Sequence, residues 1–247
     1  MAGCEAWSHV AGSSVGVLVV HGFTGTPASV RGVAEAIAAA GYDVEVPRLP
    51  GHGTTVADML TTDWEDWTGE VSRALDRLGA RAPQVVAIGQ SMGGTLVLRA
   101  ALDRPEIGAL VCINPLTRAR DSETMGMLDD LLEDDILVAP GDGSDIADPD
   151  SSDIAYAGTP IAPLKSLLVE GVAPIADRYG EITAPLRLFT SRNDHVVDPA
   201  DSEHLARTYG GPVDHTWLER SYHVATRDFD LDLIVAESLA FLAKVSA

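Results

Sequence analysis

The sequence predicts an α/β domain with a mainly parallel central sheet, helices on both faces and a small helical cap inserted late in the chain. Three observations carry this. Short continuous apolar runs rich in β-branched residues recur along the chain, as strands covered on both faces require. Capped, helix-length segments separate them, which implies βαβ units. One stretch, residues 116–180, breaks the rhythm.

The elements follow in order. Val15 to Val20 is the first apolar run. Thr26-Pro27 then supplies an N-cap and a first-turn proline for a helix ending at Ala40, with Gly41 as its stop. A shorter strand covers Asp43 to Val46. Thr62-Asp63-Trp64-Glu65 reads as a capping box opening a helix to about Leu78. Val85 to Ile88 and Ala109 to Ile113 are buried strands, with a helical stretch from Thr95 to Leu102 between them. Leu186 to Thr190 repeats the pattern, and Val213 to Leu218 alternates more. Asp198-Pro199 opens a helix that ends near Tyr209, and Phe229 to Lys244 reads as the closing helix.

Residues 1–115 and 181–247 thus form the core, and 116–180 the cap. A connection of ~65 residues between neighbouring strands is too long for a plain link. Within it Met125, Met127, Leu128, Leu131, Leu132, Ile136 and Leu137 recur at helical spacing. Ile161 to Val169 is a second short apolar helix, and Ala139 to Pro149 a loop rich in Gly, Asp and Ser. Twelve acidic residues and no basic one lie between Asp121 and Asp153. They read as a solvated face, because they lack the regular spacing and closing Glu of a calcium loop.

The 247 residues carry a formal charge of −20. Nucleic acid and anionic membranes are repelled by such a surface, so neither is an expected partner. A chain this long needs no disulfide or metal staple. Cys112 lies in an apolar run and packs as a small hydrophobe, whereas Cys4 falls in a segment expected to be loose. The start MAGCEAWSH lacks the basic and apolar regions of a signal peptide. No apolar run approaches the ~18 residues of a bilayer span. The expectation is a cytoplasmic protein without stable membrane insertion; oligomeric state is not legible.

The sharpest chemical signal is Gly89-Gln90-Ser91-Met92-Gly93. It follows one apolar strand and precedes a helical stretch, the strand–turn–helix setting of a nucleophile elbow. Ser91 is therefore the candidate nucleophile. A serine hydroxyl is weak and needs a neighbouring base. His223, in a loop just past the last strand, fits that role; His215 lies within the strand, His204 within a helix, and His195 directly after Asp194. The base in turn needs an acid to fix its tautomer. Asp194 follows the strand ending at Thr190, while its rival Asp198 serves as a helix cap. His21-Gly22-Phe23-Thr24-Gly25 follows the first strand, so the amides of Phe23 and Met92 are the candidate oxyanion hole. His21 is read as orienting that loop, and His52 as structuring the turn Leu49 to Gly53.

These motifs together, with Gly51-His-Gly, the Asn193-Asp194 turn and Tyr222-His223-Val224, resemble the bacterial carboxylesterase and monoacylglycerol lipase family of α/β-hydrolases. The resemblance covers nearly the whole chain except the cap and the first ten residues. It implies a Ser91–Asp194–His223 triad, a Phe23/Met92 oxyanion hole and a cap shielding an acyl pocket. It also implies hydrolysis of short- to medium-chain carboxylic esters or of monoacylglycerols, small molecules whose acyl chain would lie against Leu and Met side chains. No metal or organic cofactor is needed. A thioesterase or an aminopeptidase could use the same triad, and a non-catalytic hydrolase-like binding protein is the rival from another class.

Overall fold

The computed structural model describes residues 1–141 and 144–246. Its elements are β1 (Trp7–His9), β2 (Val15–Val20), α1 (Pro27–Ala39), β3 (Asp43–Val46), α2 (Val56–Met59), α3 (Trp64–Gly79), β4 (Gln84–Gln90), α4 (Met92–Asp103) and β5 (Ile107–Ile113). Then come α5 (Ser122–Glu133), β6 (Val138–Pro140), β7 (Gly158–Pro160), α6 (Ile161–Ser166), β8 (Leu186–Ser191), α7 (Ala200–Thr208), β9 (Val213–Leu218) and α8 (Leu231–Val245). The large sheet has the order β1-β3-β2-β4-β5-β8-β9. All its neighbours are parallel except β1 and β3.

Strand geometry explains why the apolar runs are continuous. Successive side chains point to opposite faces, so each run divides between two cores. Val17, Val19, Val86, Ile88 and Val111 join Val33, Ile37, Ile234 and Leu242 on the face covered by α1 and α8. Leu18, Val20, Val85, Ala87 and Leu110 join Trp67, Leu75, Leu78 and Leu96 on the face covered by α3 and α4. Parallel pairing then brings the C-terminal ends of β2, β4, β5, β8 and β9 to one edge, where open α/β sheets bind ligands.

Several local expectations need correction. Asp63, not Thr62, caps α3: its carboxylate accepts from the Glu65 and Asp66 amides, and the Asp66 side chain accepts from the Asp63 amide. The Thr62 hydroxyl is occupied elsewhere, donating to the Met59 carbonyl at 2.9 Å. Nor is the N-terminus loose. Cys4 is fully buried and Trp7–His9 pairs with β3. The Asp43 carboxylate secures this segment by accepting from the amides of Ala11, Gly12 and Ser13.

The inserted stretch contains α5, the antiparallel pair β6–β7, and α6, which runs on as a π-helical segment over Leu167–Val172. Three-residue strands are too short to show an alternation, so periodicity does not announce the pair. Ile136 and Leu137 lie beyond the end of α5 and are exposed. Asp142 and Gly143, part of the expected Gly- and Asp-rich loop, lie outside the described residues. Among the described residues no helix is long and apolar enough to cross a membrane.

Candidate active site

Ser91 sits between β4 and α4 with φ 54° and ψ −122°, a conformation rare for a residue with a side chain. The turn is possible because its flanks lack side chains. A Cβ on Gly89 would lie 2.1 Å from the Gly93 carbonyl oxygen, and one on Gly93 would lie 2.2 Å from that of Val20. The same tightness brings the loop after β2 against the elbow: a Cβ on Gly22 would stand 3.7 Å from Ser91 Oγ. Ser91 is at the N-terminus of a twelve-residue helix, where free amides and the helix dipole favour negative charge. The Met92 and Phe23 amides, the predicted oxyanion donors, have no acceptor among the described residues.

His223 Nδ1 lies 2.8 Å from Asp194 Oδ2, and both side chains are buried. The other carboxylate oxygen of Asp194 accepts from the amides of Val196 and Val197 at 2.9 and 2.8 Å. Those two bonds fix the carboxylate plane and aim Oδ2 at the imidazole. The rival Asp198 is engaged elsewhere, accepting from the Ala200 amide and pairing with Arg118. Ser91 and His223 share no hydrogen bond among the described residues, but both line one cavity of about 550 Å³. Such bonds are often long without substrate and tighten when it binds.

The other histidines divide as their positions imply. His215 Nε2 meets the Thr190 hydroxyl at 2.8 Å, and His204 donates to the Ala176 carbonyl. His21 Nδ1 donates to the Gly22 carbonyl at 2.9 Å and its Nε2 accepts from the Leu49 amide at 3.3 Å, so it ties the loop after β2 to the turn at Leu49. His52 packs 5.0 Å from it and donates to the Pro50 carbonyl.

Burial, with the neighbouring His52, pushes the His21 imidazole from 6.5 down to about 3. Burial pushes His52 down to about 4. Both are therefore neutral in the folded protein at pH 7. Their folded values lie below the unfolded one, so the unfolded chain takes up protons first on acidification. Stability from keeping these rings neutral is complete above about pH 6.5 and is lost as the pH falls toward 4 and then 3. Each ring should account for about 2 kcal/mol between pH 7.5 and pH 5. Urea unfolding at the two pH values should show the drop, and His52→Gln should flatten it. Equal slopes in parent and variant would contradict this account.

Four residues of the site escape sequence reasoning. The His223 carbonyl accepts from Asn114 Nδ2 at 2.9 Å and from Gln90 Nε2 at 3.3 Å. Ser191 donates its hydroxyl to the Tyr222 carbonyl and its amide to Asn114 Oδ1. Asp145, from the inserted stretch, accepts from the His223 and His195 amides. Asn114 and Ser191 had a usable signal, a polar residue at the C-terminal end of an apolar strand. Asp145 had none, being one acid among many.

The cavity is lined by Phe23, Leu116, Leu164, Leu167 and Leu168, which belong to or pack against one core cluster, and by Arg120, Asp145 and Asp153. Leucines line it as expected, but the methionines of α5 do not, and Met127 is exposed. The acidic run is not one solvated face either. Asp153 accepts from the Ser29 hydroxyl at 2.7 Å, and burial holds its carboxyl above the usual range.

Residues 16–151 match the alpha/beta hydrolase fold family. A thermostable monoacylglycerol lipase of Bacillus sp. (strain H-257) is 39% identical over 239 residues, 93% of this chain and 91% of the relative. A carboxylesterase of Bacillus subtilis (strain 168) is 26% identical over 237 residues, 95% and 94% of the two chains. A solved structure from work on two metagenome-derived lipolytic enzymes, LipS and LipT, superposes with a TM-score of 0.91 at 39% identity over 99% of both chains.

Proposed function

The chain belongs to the α/β-hydrolase family of carboxylesterases and monoacylglycerol lipases, and from that premise we propose that it cleaves short- to medium-chain acyl esters or monoacylglycerols through an acyl-enzyme on Ser91. It is an ester-hydrolysing enzyme. The single observation that carries the finer reading is the buried 2.8 Å contact between His223 Nδ1 and Asp194 Oδ2, beside a strained serine opening onto the same cavity.

In the proposed cycle the ester enters beneath residues 116–180, which act as a cap, with its acyl chain along the leucine wall. His223 Nε2 takes the Ser91 proton as Oγ attacks the carbonyl carbon. The Asp194 carboxylate holds the proton on Nδ1 and stabilises the imidazolium. The Phe23 and Met92 amides donate to the carbonyl oxygen as negative charge develops on it, where each such donor is worth ~3–4 kcal/mol. His223 then protonates the departing alcohol. Water then attacks the acyl carbon while losing a proton to the same nitrogen, and that proton passes to Ser91 Oγ as the acyl–oxygen bond breaks, freeing the acid and restoring the serine. An uncharged substrate suits a chain with a formal charge of −20, since a polyanion would be repelled.

A panel of p-nitrophenyl esters, monoacylglycerols, acyl-CoAs and aminoacyl amides tests the substrate class. We expect kcat/KM to favour the uncharged esters over acyl-CoA and amides by at least about 100-fold, 2.7 kcal/mol in transition-state binding. Preference for acyl-CoA or for amides would replace the esterase reading with a thioesterase or an aminopeptidase.

A further inference from the structure

The loops that carry the proposed acid and base leave different strands. β8 and β9 pair only as far as Ser191 and Leu218, and the Arg192 amide adds one bond to the Leu218 carbonyl. Beyond that point Asp194 and His223 project on separate loops. One carboxylate reaches both. Asp145 Oδ2 accepts from the His223 amide at 3.0 Å and from the His195 amide at 3.1 Å. Its Oδ1 meets His195 Nδ1 at 2.8 Å, and its carbonyl accepts from the Val224 amide at 3.0 Å. His195 in turn packs edge-on against Tyr222 at 4.6 Å.

We propose that Asp145 is a positioning residue for ester hydrolysis: a carboxylate of the inserted stretch that clamps the Asp194 loop to the His223 loop. The inference rests on the Ser91–Asp194–His223 reading. Its physical basis is geometric. The His223 carbonyl is held from below by Asn114 and Gln90, at the ends of β5 and β4. The amide of the same residue is held from above by Asp145. The His223 backbone is thus held between the sheet and the inserted stretch. Removing the upper anchor frees the loop to shift, and a misplacement of about 1 Å can cost about 100-fold in rate.

The test compares Asp145→Ala and Asp145→Asn in the full chain, with p-nitrophenyl butyrate as substrate. Alanine removes both acceptors; asparagine keeps one. We expect kcat to fall about 100-fold in Asp145→Ala and about tenfold in Asp145→Asn, with KM within threefold of the parent. A loss confined to KM would make Asp145 a substrate contact and overturn the clamp. So would a kcat within twofold of the parent. Should the alanine variant fail to fold, Asp145→Leu, of similar branched shape but with no acceptor, decides by the same kcat criterion. Ser91→Ala runs alongside. If it loses turnover while the Asp145 variants keep theirs, the clamp alone is wrong; if it keeps turnover, the triad reading falls and takes the clamp with it.

Discussion

Ser91→Ala is expected to lower kcat for p-nitrophenyl butyrate by about a millionfold while leaving the thermal midpoint close to the parent's. The asymmetry follows from what the hydroxyl touches. Ser91 Oγ makes no hydrogen bond among the described residues, so deleting it leaves no buried group unpaired. The turn is held by its backbone instead. The Ser91 amide donates to the Ile113 carbonyl at 2.9 Å, and the Ser91 carbonyl accepts from Gly94 and Thr95. Alanine occupies the same left-handed conformation with about the same strain. Chemistry, by contrast, loses its attacking atom, and only substrate binding and the oxyanion donors remain. Those alone support roughly 10³–10⁴-fold over water in other serine hydrolases, so the residual rate should be measurable and not zero. A fluorophosphonate should label the parent stoichiometrically and the variant not at all, read by intact mass. Hydrolysis within tenfold of the parent, or labelling in the variant, would mean that the nucleophile lies elsewhere. A non-catalytic binding protein would show neither labelling nor turnover even in the parent.

What the sequence disclosed and what it concealed divide along the range of the interactions. β2 and β4 are legible because burial on both faces leaves a continuous apolar run, with no distant information needed. The elbow is legible because its constraint is local: Gly89 and Gly93 are excluded from bearing side chains by atoms a few residues away and by the neighbouring strand. Asp194 and His223, whose side chains meet at 2.8 Å, could be nominated together because a parallel sheet sends every strand end to one edge, so chain order alone singles out loop residues. The cap of α3 lies one residue beyond the expected Thr62 because Thr62 and Asp63 are both competent caps, and only the bonds they make, Thr62 to Met59 and Asp63 to the Glu65 and Asp66 amides, decide between them. Cys4 and β1 were hidden because their order derives from distant residues: Met1 donates to the Gly53 carbonyl, Cys4 packs against Gly53, and β1 pairs with β3. Asp145 is the extreme case. It meets the His223 amide across 78 residues, from a stretch whose composition resembles any solvated acidic loop.

Asp194→Asn carries the second large effect, expected at about 10⁴-fold in kcat, and it works through the position of one proton. In the parent, Asp194 Oδ1 is committed to the Val196 and Val197 amides, leaving Oδ2 to face His223 Nδ1. A carboxylate oxygen only accepts, so Nδ1 must carry the hydrogen, and in the neutral ring Nε2 is left with its lone pair. Asparagine is nearly the same shape. The two backbone amides will keep the amide oxygen on their side, which turns the NH₂ group toward Nδ1. That group only donates, so Nδ1 must now accept and the hydrogen moves to Nε2. The base then has no lone pair for the Ser91 proton, although every heavy atom stands where it did. The loss should fall on kcat with little change in KM or in the thermal midpoint. Asp198→Asn provides the contrast. Asp198 accepts from the Ala200 amide and pairs with Arg118, away from the imidazole, so its kcat should stay within about threefold of the parent. If the two variants exchanged these behaviours, Asp198 would be the acid, and the 2.8 Å contact between Asp194 and His223 would be structural.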